Sequence, residues 1–237
     1  MLLPLIFSLA AGFAVPRLPR ASPSKARTGL PSAHVPAELA ERDDAAALPL
    51  EAVLERAAAG ESLLTALPRL FPFPLDDFQH DALAALAGGS SVVVSAPTGS
   101  GKTVIGEIAN GLALCGGGVA IYTTPLKALS NQKFRDFQAA YGKERVGLLT
   151  GDNTINRDAP VLVATTEVYR SMCLQQDAAA RLRNVTAVVL DEFHFMSERA
   201  RGTVWEESVI LTPPSVQIVA LSATMSNAAQ IVRRDHS

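Results

Sequence analysis

Residues 96–103 read Ala96-Pro97-Thr98-Gly99-Ser100-Gly101-Lys102-Thr103, directly after the apolar run Val92-Val93-Val94. This is the order of a strand, a glycine-rich turn and a helix start. In such a turn the backbone N–H groups face inward, where they can surround phosphate oxygens, and the helix N-terminus adds partial positive charge. Lys102 is then within reach of the β- and γ-phosphates of a nucleoside triphosphate, and the Thr103 hydroxyl can ligate Mg²⁺. A Gly/Ser hairpin or linker would also hold these glycines. The arrival of strand, loop and helix in sequence favours the phosphate reading.

A second candidate follows the apolar run 185–190. Asp191 stands at its end, where a carboxylate can hold Mg²⁺ through water beside the phosphates. Glu192 is next to it, placed to polarise an attacking water. A carboxylate after an apolar strand is common, so the pair gains its meaning from the phosphate loop upstream.

The elements that must position these groups are legible as alternation. From Leu75 onward, apolar runs at 91–95, 119–123, 146–149, 161–165, 185–190 and 216–221 predict strands. Helices are expected at 77–87, 102–114, 126–140, 166–174, 202–211 and 226–233. The runs are near-continuous, as in Ala187-Val188-Val189-Leu190. Strands buried on both faces read that way, so the expected fold class is α/β, with a mostly parallel sheet and helices on both faces. Ligands of such sheets bind at the carboxyl ends of the strands, where both candidates lie.

The chain has 237 residues, and 48% of them are hydrophobic, enough for one α/β domain with extensions. Cys115 and Cys173 make no disulfide framework or zinc spacing. The net charge is −2. Residues 1–37 hold Arg17, Arg20, Lys25 and Arg27 and no acid, so the rest carries 17 basic against 23 acidic residues, or −6. A whole-domain positive field for nucleic acid is therefore excluded, and any such contact must come from local amides, hydroxyls and a few cations.

Residues 1–30 are expected to be a targeting leader. Leu2 to Val15 is almost wholly apolar, the length of a signal-peptide core and too short for a membrane span. Pro16 to Leu30 is rich in Arg, Ser and Pro and has no acid, the composition of a transit peptide. Signal then transit, with Phe13 near the junction, resembles a bipartite plastid leader. A secretory signal, another organelle and a mis-assigned start remain open, and the basic n-region of a signal peptide is missing. Residues 31–70 read as a connecting segment of little specific meaning, with one helix from Leu50 to Ala59 stopped by Gly60. Phe71-Pro72-Phe73-Pro74 is a rigid aromatic turn ahead of the ordered domain at 71–237.

Asp191-Glu192-Phe193-His194, residues 96–103 and Ser222-Ala223-Thr224 together resemble the DExH-box helicases of superfamily 2. The stretches 201–207 (Arg-Gly-Thr-Val-Trp-Glu-Glu) and 219–224 (Val-Ala-Leu-Ser-Ala-Thr) resemble the superkiller branch, the exosome-cofactor and antiviral RNA helicases, with chloroplast RNA helicase relatives nearest. The resemblance covers about 71–231. Ala96 replaces the Gly of the general phosphate-loop pattern, as is usual in this superfamily.

The resemblance implies a RecA-like P-loop NTPase domain that uses ATP and Mg²⁺, with Lys102, Asp191, Glu192 and His194 catalytic. It implies that Gln79 reads the adenine edge and Phe73 stacks on the base, within Phe73-Pro74-Leu75-Asp76-Asp77-Phe78-Gln79. Without it, Phe73 and Phe78 would be core residues and Gln79 an exposed helix residue. It implies nucleic-acid backbone contacts by Thr124, Pro125, Lys127 and Asn131, by Gly151 and Asp152, and by Thr165, Thr166 and Arg170. Ordinary helix capping and solvated charge would explain the same residues. Ser222 and Thr224 would couple the nucleotide site to strand separation through hydrogen bonds toward the DExH box, with His194 in that link. Trp205 reads as packing.

The expected function is an ATP-dependent RNA helicase motor domain that needs a second RecA-like domain, since no arginine-finger segment precedes Ser237. Alone it should bind ATP–Mg²⁺ weakly and unwind nothing. RNA is the expected partner, within an RNA-processing or ribosome-related complex, with no membrane and a plastid address. A superfamily 2 DNA helicase or translocase, and a truncated ATP- or RNA-binding fragment from a shortened gene model, are the alternatives.

Overall fold

The computed structural model describes residues 47–197 and 202–223, together with the backbone of 13–15. The leader (apart from 13–15), residues 31–46, Thr224 and the expected helix at 226–233 lie outside the described residues.

The strands are β1 (Phe13–Val15), β2 (Ser91–Ser95), β3 (Val119–Thr124), β4 (Val146–Leu149), β5 (Thr154–Ile155), β6 (Val161–Thr165), β7 (Val185–Leu190) and β8 (Gln217–Ser222). They form one sheet in the order β1-β2-β8-β7-β3-β6-β4-β5. The six strands from β2 to β4 in that order are mutually parallel. Among the described strands, only the edge strands β1 and β5 run antiparallel, to β2 and β4. Six strand positions read from the apolar runs are thus occupied nearly residue for residue. β1, β5 and the short helix Ala178–Arg181 were not anticipated, being too short to carry a periodic signal.

Side chains alternate between two cores, as the pleat requires. Along β7, Ala187 and Val189 join one cluster and Val188 and Leu190 the other. The first core is covered by α1 (Leu50–Ala58), α2 (Leu63–Ala66), α3 (Asp77–Ala87), α4 (Lys102–Cys115) and α5 (Lys127–Tyr141). The second is covered by α6 (Thr166–Leu174) and α8 (Gly202–Leu211), with Leu182, the residue after the short α7 (Ala178–Arg181), buried in it. β2 departs from the continuous pattern expected of it: Val92 and Val94 are buried while Ser91, Val93 and Ser95 are only half-buried.

The stretch 48–70 is more than a connection. Leu50, Val53, Ala66 and Leu67 are buried in the first core. A methyl group at Gly111 of α4 would stand 2.8 Å from Leu67 Cδ2, so this N-terminal layer seats directly on the helix that follows the phosphate loop. The stop at Gly60 holds as read, with φ +92°. A second close approach fixes α4 from below: a methyl at Gly106 would lie 2.6 Å from Cε2 of Tyr122 on β3.

Trp205 is core, as its reading supposed. It is 1% exposed and meets Phe193 edge-to-face, centroids 5.7 Å apart at 87°. Gly202 lets α8 close on the 3₁₀ turn Phe193–Ser197, since a methyl there would fall 2.6 Å from the Met196 carbonyl oxygen. This indole pins the turn that follows Asp191-Glu192 against the second core. Trp205→Ala should therefore cost about 3–5 kcal/mol of unfolding free energy. Denaturant titration of purified protein checks this, and a loss below about 1 kcal/mol would contradict the packing role.

Candidate nucleotide and nucleic-acid site

Because β2, β8 and β7 are parallel, their carboxyl ends share one edge of the sheet. The register sets Ser95 of β2 opposite Ser222 of β8, and Leu190 of β7 opposite Ala220. The loop at 96–103 therefore leaves on one side of β8 and Asp191-Glu192 on the other. Backbone bonds tie both exits down: Ala96 N–H donates to the Ser222 carbonyl at 3.2 Å, and Asp191 N–H to the Thr123 carbonyl at 3.1 Å.

Gly99 and Gly101 take left-handed backbone, φ +83° and +82°, which lets the loop fold over without a Cβ penalty. The Lys102 ammonium lies inside the loop and donates to the carbonyl oxygens of Ala96 and Pro97, each at 2.6 Å. A cation held on neutral acceptors there is placed to exchange them for anionic ones.

Gln79 is not an exposed helix residue. It is buried, and its amide works at both ends. Oε1 accepts from Asp76 N–H at 2.9 Å in a capping box, and Nε2 donates to the Gly101 carbonyl at 3.1 Å. Gly101 leaves room for it, since a methyl there would meet Nε2 at 2.6 Å. Phe73 is 45% exposed beside the start of α3, its ring tilted 35° to Phe71 at 5.8 Å. Phe78 packs against the first core.

On the other side of β8, the Asp191 carboxylate is fixed by two donors. Oδ1 accepts from Glu192 N–H at 2.9 Å, and Oδ2 from the Tyr122 hydroxyl at 2.7 Å. Glu192 is left-handed at φ +56°, a conformation costing a non-glycine residue about 1–3 kcal/mol. Tyr122 was not singled out from the sequence, where it is one apolar-looking position in Val119–Thr124. Only its place two residues before the strand end hinted at the edge. Burial, and then the charge of Asp191, push its phenol well above the usual range, so it stays a donor. His194 Nδ1 lies 3.3 Å from Glu192 Oε2 but without hydrogen-bond alignment.

No cluster of three or more His, Cys, Asp or Glu side chains able to hold a metal exists among the described residues. One hydroxyl, Thr103, and one carboxylate, Asp191, suit Mg²⁺, which keeps several waters and takes its other ligands from substrate phosphates.

The nucleic-acid candidates also gather at the carboxyl edge, but several hydroxyls face inward. Thr124 shares a 2.7 Å bond with Ser130 and donates to the Leu126 carbonyl. Ser130 reaches the Ala164 carbonyl, and Thr166 donates to the Thr124 carbonyl at 3.2 Å. Thr165 caps α6 in position only, without a side-chain cap bond. Thr124, Thr165 and Thr166 are buried, and the Thr124 and Thr166 hydroxyls tie the end of β3 to the starts of α5 and α6. Pro125 is buried and precedes α5, which begins at Lys127 and not in the expected Leu126 turn. Arg170 is paired with Glu207 on α8.

What stays outward is Lys127, half-buried Asn131, Gly151 and Asp152. Lys127 and Asp152 form an ion pair that lowers the Asp152 carboxyl below the usual range, mainly through its bond to Lys127. Ser222 differs from expectation as well. Its hydroxyl donates to its neighbour's carbonyl, Ala223 O, at 2.9 Å, and its own carbonyl binds the loop. The register explains this: Ser222 lies two residues beyond the last β7 pairing, against β2.

Comparison with known proteins covers the same stretch. The chain is 57% identical over 159 residues to "Probable helicase HelY" of Mycobacterium leprae, covering 67% of this chain and 17% of that protein. It is 51% identical over 166 residues to "DExH-box ATP-dependent RNA helicase DExH15 chloroplastic" of Arabidopsis thaliana, covering 68% and 14%. It is 46% identical over 159 residues to "Antiviral helicase SKI2" of Saccharomyces cerevisiae, covering 67% and 12%. The chain thus spans less than a fifth of the length of these relatives. The family model for the DEAD/DEAH box helicase matches residues 76–232, taking in the phosphate loop, the Asp191-Glu192 pair and Ser222, and the chain belongs to that family, among relatives of the superkiller type.

Proposed function

We propose that this chain is the first RecA-like domain of an ATP-dependent RNA helicase. One observation carries the reading: a glycine-rich phosphate loop and an Asp-Glu pair leave β2 and β7 at the same edge, on either side of the strand ending in Ser222. The loop amides bind the triphosphate, and Lys102 gives up its two carbonyl acceptors for phosphate oxygens. Thr103 and Asp191 would hold Mg²⁺, which would supply positive charge to offset that of the triphosphate. Glu192, aimed by its left-handed backbone, accepts hydrogen bonds from the attacking water. Gln79 and Phe73 receive the base, and His194 relays between Glu192 and the segment at 222–224.

Nucleic acid lies across the N-terminus of α5. The N–H groups of residues 127–129 and the Lys127 ammonium meet a phosphate there, in exchange for Asp152. Thr165, Thr166 and Arg170 then act through backbone amides and by shaping the track. The printed name of the Arabidopsis relative, an ATP-dependent RNA helicase, supports RNA as the partner, and an RNA-processing or ribosome-related complex is the setting. No described helix is long and apolar enough to cross a membrane.

The test uses a protein carrying this chain joined to a second RecA-like domain. Its ATPase should rise at least about tenfold with single-stranded RNA, and Lys102→Ala should lower it by at least about a hundredfold. No RNA stimulation in a protein with basal ATPase would reject the RNA reading. Displacement of bound RNA by an equal strand of DNA would favour a DNA motor, because 2′-hydroxyl contacts are what tell the two apart.

We further propose a plastid address, supported by the composition of residues 1–30 and by the relative named chloroplastic. Residues 1–46 fused to a fluorescent protein should enter plastids of a secondary-plastid alga, and secretion or cytosolic retention of the fusion would reject it.

A further inference from the structure

Asp191 is held unlike an ordinary strand-end carboxylate. One oxygen is taken by the neighbouring amide of Glu192, and the other by a phenol arriving from a different strand, 69 positions away in sequence. We infer that Tyr122 is a positioning residue that sets the orientation of the Asp191 carboxylate toward a Mg²⁺-bound nucleotide. This rests on the functional reading above and adds a residue to it.

The geometry around Tyr122 leaves its ring little choice of place. It is fully buried on β3, with the Phe137 ring edge-on at 5.0 Å and the Lys133 ammonium 5.7 Å from its centroid. From the other side α4 comes so near that only a glycine fits at 106. The hydroxyl is thereby delivered to Asp191 by packing from two helices. A carboxylate oxygen held by one directed donor keeps its remaining lone pair in a fixed direction, which is how an outer partner orients a metal ligand. Losing such a partner typically weakens metal binding by about 10–100-fold.

Tyr122 also stands two residues before Thr124, whose bonds to Ser130 and Thr166 knit the nucleic-acid segments. A shift of β3 along its axis would therefore be felt at Asp191.

Tyr122→Phe removes only the hydroxyl. The 237-residue chain is titrated with a fluorescent ATP analogue, first in EDTA and then over a range of Mg²⁺. In EDTA the variant should match the wild type within about twofold, and its half-saturating Mg²⁺ should rise about tenfold. On an Asp191→Asn background the same change should do nothing further, whereas a merely structural tyrosine would add its effect there. A Mg²⁺ curve superimposed on that of the wild type overturns the inference alone. A wild-type chain that binds no nucleotide in Mg²⁺ overturns the functional reading and the inference with it. Should Tyr122→Phe fail to fold, 3-fluorotyrosine placed at 122 alone gives a ¹⁹F signal. It should shift when Mg²⁺ joins the nucleotide complex, and should not shift in Asp191→Asn; a signal indifferent to Mg²⁺ overturns the inference.

Discussion

The approach of α4 to β3 at Gly106 is the constraint on which the site depends. With no Cβ there, the helix rests against the ring of Tyr122, and that one contact does two things. It sets how far the N-terminus of α4, and with it the loop at 96–103, stands above the sheet edge. It also confines the phenol whose hydroxyl reaches Asp191. Gly111, one turn and a half further on, repeats the device against Leu67, so the N-terminal layer and the sheet hold the same helix from two sides. Interiors packed to crystal density transmit such spacing faithfully, because no void takes up the slack.

The order of strands does the remaining work. A parallel sheet collects carboxyl ends at one edge regardless of where the strands lie in sequence. β2, β8 and β7 are neighbours although β8 is the last of the described strands, so the middle strand becomes the partition between the phosphate loop and the acidic pair. Its backbone, more than its side chains, makes the contact: the Ser222 carbonyl receives the loop, while the Ser222 hydroxyl turns to its own neighbour. The turn after Asp191 is then held from behind by Trp205 and Phe193.

Much of this was legible beforehand, and for a physical reason. Strands buried on both faces must be apolar without interruption, and β3, β4, β6 and β7 obey that almost everywhere. The glycine loop was legible because left-handed backbone leaves few residue choices. What escaped were features whose meaning depends on a distant partner. Leu50, Val53 and Leu67 look like any amphipathic connection until α4 supplies their other half. Thr124 and Thr166 read as surface hydroxyls because residue type does not say which way a strand-end side chain faces. Arg170 read as a cation for phosphate because Glu207 lies on another helix. Tyr122 escaped for the same reason: its partner is on β7.

Gln79 joins two parts that look separate. The amide that closes the first turn of α3 also grips the carbonyl of Gly101, so it serves as a latch with one arm on a helix cap and one on the glycine turn. Each end of that amide keeps one further hydrogen-bonding position. A molecule that takes those positions without rotating the group leaves both arms shut. One that rotates it must break the bond to the Asp76 amide and release Gly101 in the same movement, gearing the front of the domain to the turn behind it.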